Sequence, residues 1–315
     1  MDIKDLAGLS APLTKLVDVL SSGFGTIYRP TGIRREASAQ SEATLMIGAA
    51  QLEVDVNRAR ALAEVDASNK LVLNDASVRI EQRVQARLDY REKHKQNNLE
   101  AIANSAALHL PEEVSTTAVD EDWKARFFNI AEDVSSDQMQ DLWGKILAGE
   151  VTQPGTYSVR TLEALRNISQ AEAEVFQKLR YLALNDGCVL KLNEVNDEPL
   201  MEYGLLFRDI LLLREAGLLA DGDMLSLKVP VPPKHGFVVL GFNGKGILLE
   251  PKNSETTTLT FEVLALTRVG VQLMSLIDPV PNVDYLRKFA LEKKDTLDIY
   301  FGIPGEARET FEKLT

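Results

Sequence analysis

The sequence predicts a mostly α-helical protein with an α+β module at its C-terminal end, and three observations carry this prediction. Residues 33–110 contain no proline and one glycine, Gly48, which favours long helices. Helix-start signals and both tryptophans then fall within residues 111–186, which indicates a compact helical domain. After this, short apolar runs alternate with turn dipeptides, as is typical of strands. We therefore expect an extended helical domain at residues 1–110, a compact helical domain at 111–186 and an α+β module at 187–315.

Composition limits the classes of function open to this chain. Its 315 residues carry a formal net charge of −12 at pH 7, which argues against broad attraction to nucleic acid or anionic lipid. The single cysteine, Cys188, excludes an intramolecular disulfide and a cysteine-based zinc site. Because no apolar run approaches the roughly 18 residues of a membrane span and no signal-peptide pattern is visible, we expect a cytoplasmic protein.

The first predicted helix is amphipathic. Its leucines recur at spacings of three and four residues, and its acidic and basic residues balance one another. A helix on a membrane surface usually carries a basic polar face, so packing against protein is the favoured prediction. Membrane contact through residues 1–28 is the alternative. The leucines are Leu6, Leu9, Leu13, Leu16 and Leu20.

Three arginines cluster where this first helix gives way to the long helical region. Arg29, Arg34 and Arg35 form a candidate anion contact, because guanidinium groups bind phosphate and carboxylate groups. The simpler interpretation is that these arginines are solvated or paired with acidic residues.

The long helical region carries an apolar stripe at spacings of four and three residues, which is typical of a coiled-coil seam. Such a stripe must be covered, either by the chain folding back as a hairpin or by another subunit. We expect a homo-oligomer, and the intramolecular hairpin is the alternative. The candidate seam residues are Leu45, Leu52, Val56, Ile80, Val84 and Leu88.

Residues 121–150 read EDWKARFFNIAEDVSSDQMQDLWGKILAGE and hold both tryptophans. Helical spacing places Trp123, Phe127 and Ile130 on one face of a first helix, and Trp143 on the apolar face of a second. Two short helices with facing aromatic residues predict a hairpin core rather than a cofactor site.

Helix-start signals predict four helices between residues 115 and 185. Ser135 and Ser169 each precede a Gln or Glu by three residues, which is the form of a capping box, and Ser158 is a third candidate N-cap. Acidic residues on the outer faces of these helices lack a histidine or metal-ligand context along the chain, so we expect a solvated surface. They are Glu121, Asp122, Glu132, Asp133, Asp137 and Asp141.

The block DWKARFFNIAEDVSSDQMQDLWGKILAGE, extended by PGTYSVRTLEAL, resembles a family of bacterial proteins defined only by a domain of unknown function. YRPTGIRRE also resembles the N-terminal part of that family, so we expect the similarity to cover residues 1–185 and, loosely, the remainder. The resemblance implies no activity and no catalytic residues. The residues that carry it are Trp123, Phe127, Phe128, Met139, Gln140, Leu142, Trp143 and the segment 145–150.

The C-terminal region predicts a helix that ends at Gly217, then strands at MLSLKVPV, GFVVLGF, KGILLEP and LTFEVLALT, then a helix capped by Thr267. The dipeptide Asn243–Gly244 is a strong hairpin signal. This order resembles the recognition helix, wing and closing helix of a winged-helix module. The candidate recognition helix mixes Arg208 and Arg214 with acidic residues, so a protein-contacting module is favoured over a DNA reader.

Signatures of catalysis and cofactor binding do not emerge from the residue pattern. His94, His109 and His235 have no metal-ligand partner at a characteristic spacing. GFNGKG lacks the ending of a phosphate-binding loop and predicts a hairpin. We therefore expect no cofactor and no metal; a hydrolase with an unrecognised acidic site is the remaining enzyme hypothesis.

The favoured function is a non-enzymatic oligomerising or partner-binding scaffold, and the kind of family suggests a setting in stress response or phage defence. One alternative is a membrane-acting effector that uses the N-terminal amphipathic helix. A second alternative is a nucleic-acid-binding regulator.

Overall fold

The computed structural model describes residues 10–24, 80–192, 200–222, 224–304 and 310–314. Within these residues the protein is helix-rich α+β, which confirms the coarse prediction of a mainly helical chain with strands near its C-terminal end. The chain divides into two compact units, residues 1–162 and 163–315. The candidate anion contact at Arg29, Arg34 and Arg35, and the seam residues Leu45, Leu52 and Val56, lie outside the described residues.

The described part of the first unit is built from helices. They are α1 (Ala11–Phe24), α2 (Ile80–Leu108), α3 (Glu121–Ala131), α4 (Asp137–Thr152) and α5 (Val159–Asn167), whose last residues belong to the second unit. The C-terminal half of α2 packs along α4, and the approach at Gly144 is tight, because an added Cβ there would collide with Ser105. α1 packs on both α3 and α4.

The helix starts test the capping predictions. Ser158 accepts a hydrogen bond from the backbone N–H of Thr161 at 3.3 Å, as predicted. The predicted capping box at Ser169 is present, with its partner Glu172 in place. The predicted box at Ser135 is wrong: α3 ends in a tight turn whose last bond runs from the Val134 N–H to Ala131, so Ser136 occupies the N-cap without a side-chain cap bond.

The second unit combines two antiparallel sheets with four further helices, within the residues that the structure describes there. The helices are α6 (Gln170–Arg180), α7 (Phe207–Glu215), α8 (Arg268–Met274) and α9 (Val283–Lys293). The strands are β1 (Cys188–Leu190), β2 (Ser226–Pro230), β3 (Val238–Phe242), β4 (Lys245–Pro251), β5 (Thr258–Ala265), β6 (Leu297–Gly302) and β7 (Glu312–Lys313). One sheet has the strand order β1-β5-β2, and the other has the order β3-β4-β6-β7.

The predicted Asn243–Gly244 turn is present and connects β3 to β4. Both residues have positive φ, 47° and 77°, which is the conformation that favours this dipeptide in a two-residue hairpin. Asn243 is nevertheless buried, and its side-chain amide donates to the carbonyl of Tyr181 at 3.0 Å. The buried Arg180 guanidinium donates to the Asn243 side-chain oxygen and to the Met274 carbonyl, so the hairpin tip anchors the end of α6.

Candidate functional site

The block that holds both tryptophans forms the core of the first unit. Trp143 and Phe127 are fully buried, and their ring centroids lie 5.3 Å apart. Trp123 is also buried, and its indole N–H donates to the carbonyl of Tyr157 at 2.8 Å. The prediction that these side chains form a hairpin core is therefore confirmed.

A buried carboxylate at the edge of this core binds the loop that follows α4. Glu150, 2% exposed, accepts hydrogen bonds from the backbone N–H groups of Gly155 at 2.7 Å and Tyr157 at 2.9 Å. The Tyr157 ring in turn lies against Gly149, where an added Cβ would stand 2.7 Å from the ring. Glu150 thus holds the loop after α4 in place.

A second polar cluster ties α2 to α4. Asp141 accepts a hydrogen bond from the Ser105 hydroxyl at 3.0 Å, and the same carboxylate oxygen lies 2.9 Å from His109 Nε2. The Lys145 ammonium lies 3.1 Å from the other carboxylate oxygen. His109 precedes Asp141 by 32 residues, so the local sequence around Asp141 gives no sign of a neighbouring histidine.

The arrangement of this cluster decides its chemistry. In a nucleophilic triad the histidine accepts the proton of the serine, and the carboxylate orients the histidine. Here Ser105 and His109 both contact the carboxylate of Asp141 instead. The hydroxyl is therefore bonded to the carboxylate and not activated by the imidazole, and the cluster acts as a link between helices.

Acid should weaken this link. Burial raises the pKa of Asp141, but hydrogen bonds from His109, Lys145 and Ser105 outweigh it, so the pKa lies below its ordinary value of 3.8. A carboxyl whose pKa is lowered by folding stabilises the folded state above about pH 4, and this contribution is lost as the pH falls through the lowered value. The stability difference between wild type and Asp141→Asn in urea unfolding should be present at pH 7 and should shrink progressively as the pH is lowered below about 4. A difference that persists unchanged at low pH would contradict this account.

The N-terminal half of α2 carries the described part of the predicted seam. Ile80, Val84 and Leu88 are 68%, 38% and 42% exposed. At about 3.6 residues per turn they lie on the same helix face as Ile102 and Ala106, which are buried against the first unit. The apolar face of α2 thus continues beyond the part of the helix that the described residues of its unit bury.

The amphipathic α1 uses its apolar face inside the first unit. Leu16, Val17, Val19 and Leu20 are all buried, and Gly23 packs directly against the Phe128 ring. This agrees with the predicted packing against protein. Among the described helices none has both the length and the apolar character needed to cross a bilayer.

The second unit offers weaker candidates. Burial and the neighbouring Asp186 raise the pKa of the Cys188 thiol to about 11, so the thiolate is scarce near neutral pH. A groove of about 230 Å³ has Lys293 as its one charged lining residue.

Phe207 and Leu211, one turn apart on α7, are 57% and 45% exposed. No group of three or more histidine, cysteine or carboxylate side chains is placed to hold a metal in the part of the chain that the structure describes.

Fold and contacts together define a helix-rich α+β protein whose buried polar groups, in the described ranges, tie helices and loops together. The chain belongs to a family of proteins of unknown function, DUF2806, whose model matches residues 82–290. This confirms the family resemblance, but the matched region differs from the expected 1–185: it starts within α2 and extends through most of the second unit. No curated protein and no solved structure matches the chain.

Proposed function

We propose that this protein is a non-enzymatic scaffold that forms a homo-oligomer through the exposed half of α2. The single observation that supports this proposal is the exposed stripe of Ile80, Val84 and Leu88 on that helix. Covering a side chain of this kind contributes about 1.5–3 kcal/mol when burial is complete. Because Val84 and Leu88 are only 38% and 42% exposed, covering them gains a part of this range, and a stable assembly needs further contacts beside these three residues.

The other functional hypotheses have less support. A membrane-acting effector would have to withdraw α1 from the first unit, because Leu16, Val17, Val19 and Leu20 are buried there. A nucleic-acid-binding regulator would present α7, where the exposed Arg208 stands beside the apolar Phe207 and Leu211 rather than within a basic surface.

We also propose that the second unit contains a module related to the winged helix. The chain order β1, α7, β2 and β5, together with the strand order β1-β5-β2, supports it. The β3–β4 hairpin occupies the place of the wing in the chain order. With Phe207 and Leu211 exposed, α7 is better suited to protein contact than to a DNA groove.

Two glutamates in the stripe should dissolve the oligomer. We expect the wild-type protein to scatter light as an assembly at micromolar concentration, and Val84→Glu with Leu88→Glu to shift the mass to that of the monomer. The charges would be buried without partners at the contact. Circular dichroism should stay native, because both positions are solvent-exposed in the first unit.

Gln82→Glu with Ala86→Glu provides a matched control. These residues are exposed on the opposite face of α2, so the same charge change should leave the mass unaltered. A monomeric wild type would contradict the homo-oligomer. An assembly that survives the stripe variant but is lost on deletion of residues 1–28 would move the contact to the N-terminal helix.

A further inference from the structure

The groove of about 230 Å³ in the second unit has an apolar floor and a polar rim. It lies where the C-terminal end of α9 meets β5 and the adjoining ends of β4 and β6. Its buried lining residues are all apolar: Leu259, Phe261 and Leu297. Its rim carries three threonines and Lys293, all of them at least partly exposed. A ligand that fits this groove therefore combines an apolar body with a polar end.

Lys293 supplies the only charge among the lining residues of the groove. It is the last residue of α9, and its ammonium lies over the Phe289 ring, 5.9 Å from the ring centroid. Phe289 is buried and packs edge-on against Phe261, with 5.7 Å between the ring centroids. Because Phe261 belongs to the floor, the ammonium is held beside the apolar surface that a ligand would contact.

The surroundings of Lys293 favour an anionic ligand. Among the described residues no acidic side chain lines the groove or forms an ion pair with this ammonium. Asp298, which follows the lining residue Leu297, contacts Lys252 and Lys313 instead. Contact with an aromatic ring leaves the N–H groups of an ammonium able to donate to an oxygen.

The size and charge of the groove favour a small carboxylate over a phosphate group. At about 30 Å³ for each water-sized group, its volume accommodates about eight non-hydrogen atoms. Phosphate sites usually gather several donors from arginines or from a helix N-terminus. The groove instead adjoins the C-terminal end of α9, whose partial negative charge disfavours a dianion more than a monoanion.

We infer that this groove binds a small monocarboxylate with an apolar body, such as a short fatty acid or an aromatic acid. The carboxylate accepts hydrogen bonds from the Lys293 ammonium at the rim, and the hydrocarbon body covers Leu259, Phe261 and Leu297 on the floor. The threonine hydroxyls at the rim can donate to the second carboxylate oxygen. This binding does not depend on the proposed homo-oligomer.

Calorimetric titration of the full chain with hexanoate and with benzoate tests the inference. We expect saturable binding of at least one of them to the wild type, and at least about tenfold weaker binding to Lys293→Gln, which loses the charge-assisted hydrogen bond. Lys294→Gln is the matched control, since this neighbouring lysine is exposed and does not line the groove. It should bind as the wild type does. Thr260→Phe places a ring at the exposed rim and should block binding while circular dichroism stays native.

Three further probes define the ligand class. Hexanamide has the same body without the charge, acetate has the charge without the body, and inorganic phosphate is the competing anion; each should bind more weakly than the better carboxylate. Hexanamide that binds equally well, or phosphate that binds more tightly and displaces the carboxylate, would overturn the inference. So would a wild type that binds neither hexanoate nor benzoate, or binding that Lys293→Gln and Thr260→Phe leave unchanged. None of these results bears on the light-scattering test of the homo-oligomer.

Discussion

Replacing Trp143 by alanine should lower the free energy of unfolding by roughly 3–5 kcal/mol, the range expected when a buried aromatic side chain is truncated. Trp143 is fully buried, and its ring lies against Phe127 at the centre of the first unit. The surrounding structure relaxes only partly into such a space, so a cavity is expected to remain. Thermal and urea unfolding of the purified variant would measure the loss.

Trp143→Phe is the matched control. The indole nitrogen of Trp143 has no hydrogen-bond partner within the described residues, so phenylalanine removes volume without breaking a bond. We expect its cost to be clearly below that of alanine. An unchanged melting temperature for Trp143→Ala, with lost assembly instead, would mean that Trp143 serves a contact between molecules and not the core.

Replacing Glu150 by alanine should cost roughly 3–5 kcal/mol, because hydrogen bonds to a charged group contribute about 1.5–3 kcal/mol each and their loss leaves donors unpaired. Glu150 accepts from the N–H groups of Gly155 and Tyr157 while almost completely buried. The loop that carries Tyr157 should loosen, and the Trp123 indole bond to that loop should weaken with it. Urea unfolding and the fluorescence of the two tryptophans would report both effects.

Two further variants serve as controls for Glu150→Ala. Glu150→Gln keeps an oxygen for one N–H but turns an amide donor toward the other, so an intermediate loss is expected. Glu113→Ala removes an exposed acid in the same unit and should change stability by no more than about 0.5 kcal/mol. If Glu150→Ala and Glu113→Ala change the free energy of unfolding equally, the hydrogen bonds of Glu150 to Gly155 and Tyr157 do not contribute to folding stability.

Helical spacing and turn chemistry predicted the local structure well where a single element supplies the signal. The aromatic spacing around Trp123 and Phe127 predicts a buried helix face, and that face is buried. Asn243–Gly244 predicts a hairpin because its backbone conformation suits the turn, and the hairpin is there. The capping box at Ser135 failed, because the end of the preceding helix determines which serine reaches the N-cap.

Contacts between distant residues were not readable from these patterns. His109 meets Asp141 because the end of α2 packs against α4, and nothing in the local sequence of either residue encodes that neighbour. The burial of Asn243 is a similar case, since a turn dipeptide is ordinarily solvent-exposed. Its amide donates to the Tyr181 carbonyl just after α6, a contact made only when the chain folds.

The sequence by itself determined the element types, the family resemblance and the apolar face of α2, since these depend on residue identity and on spacing within one helix or strand. Only the tertiary structure decided which part of that face is covered. Ile102 and Ala106 are buried in the half of α2 that α4 contacts, whereas Ile80 and Val84 are exposed among the described residues. The apolar pattern is the same in both halves, and the difference in burial arises from which half the neighbouring helix contacts.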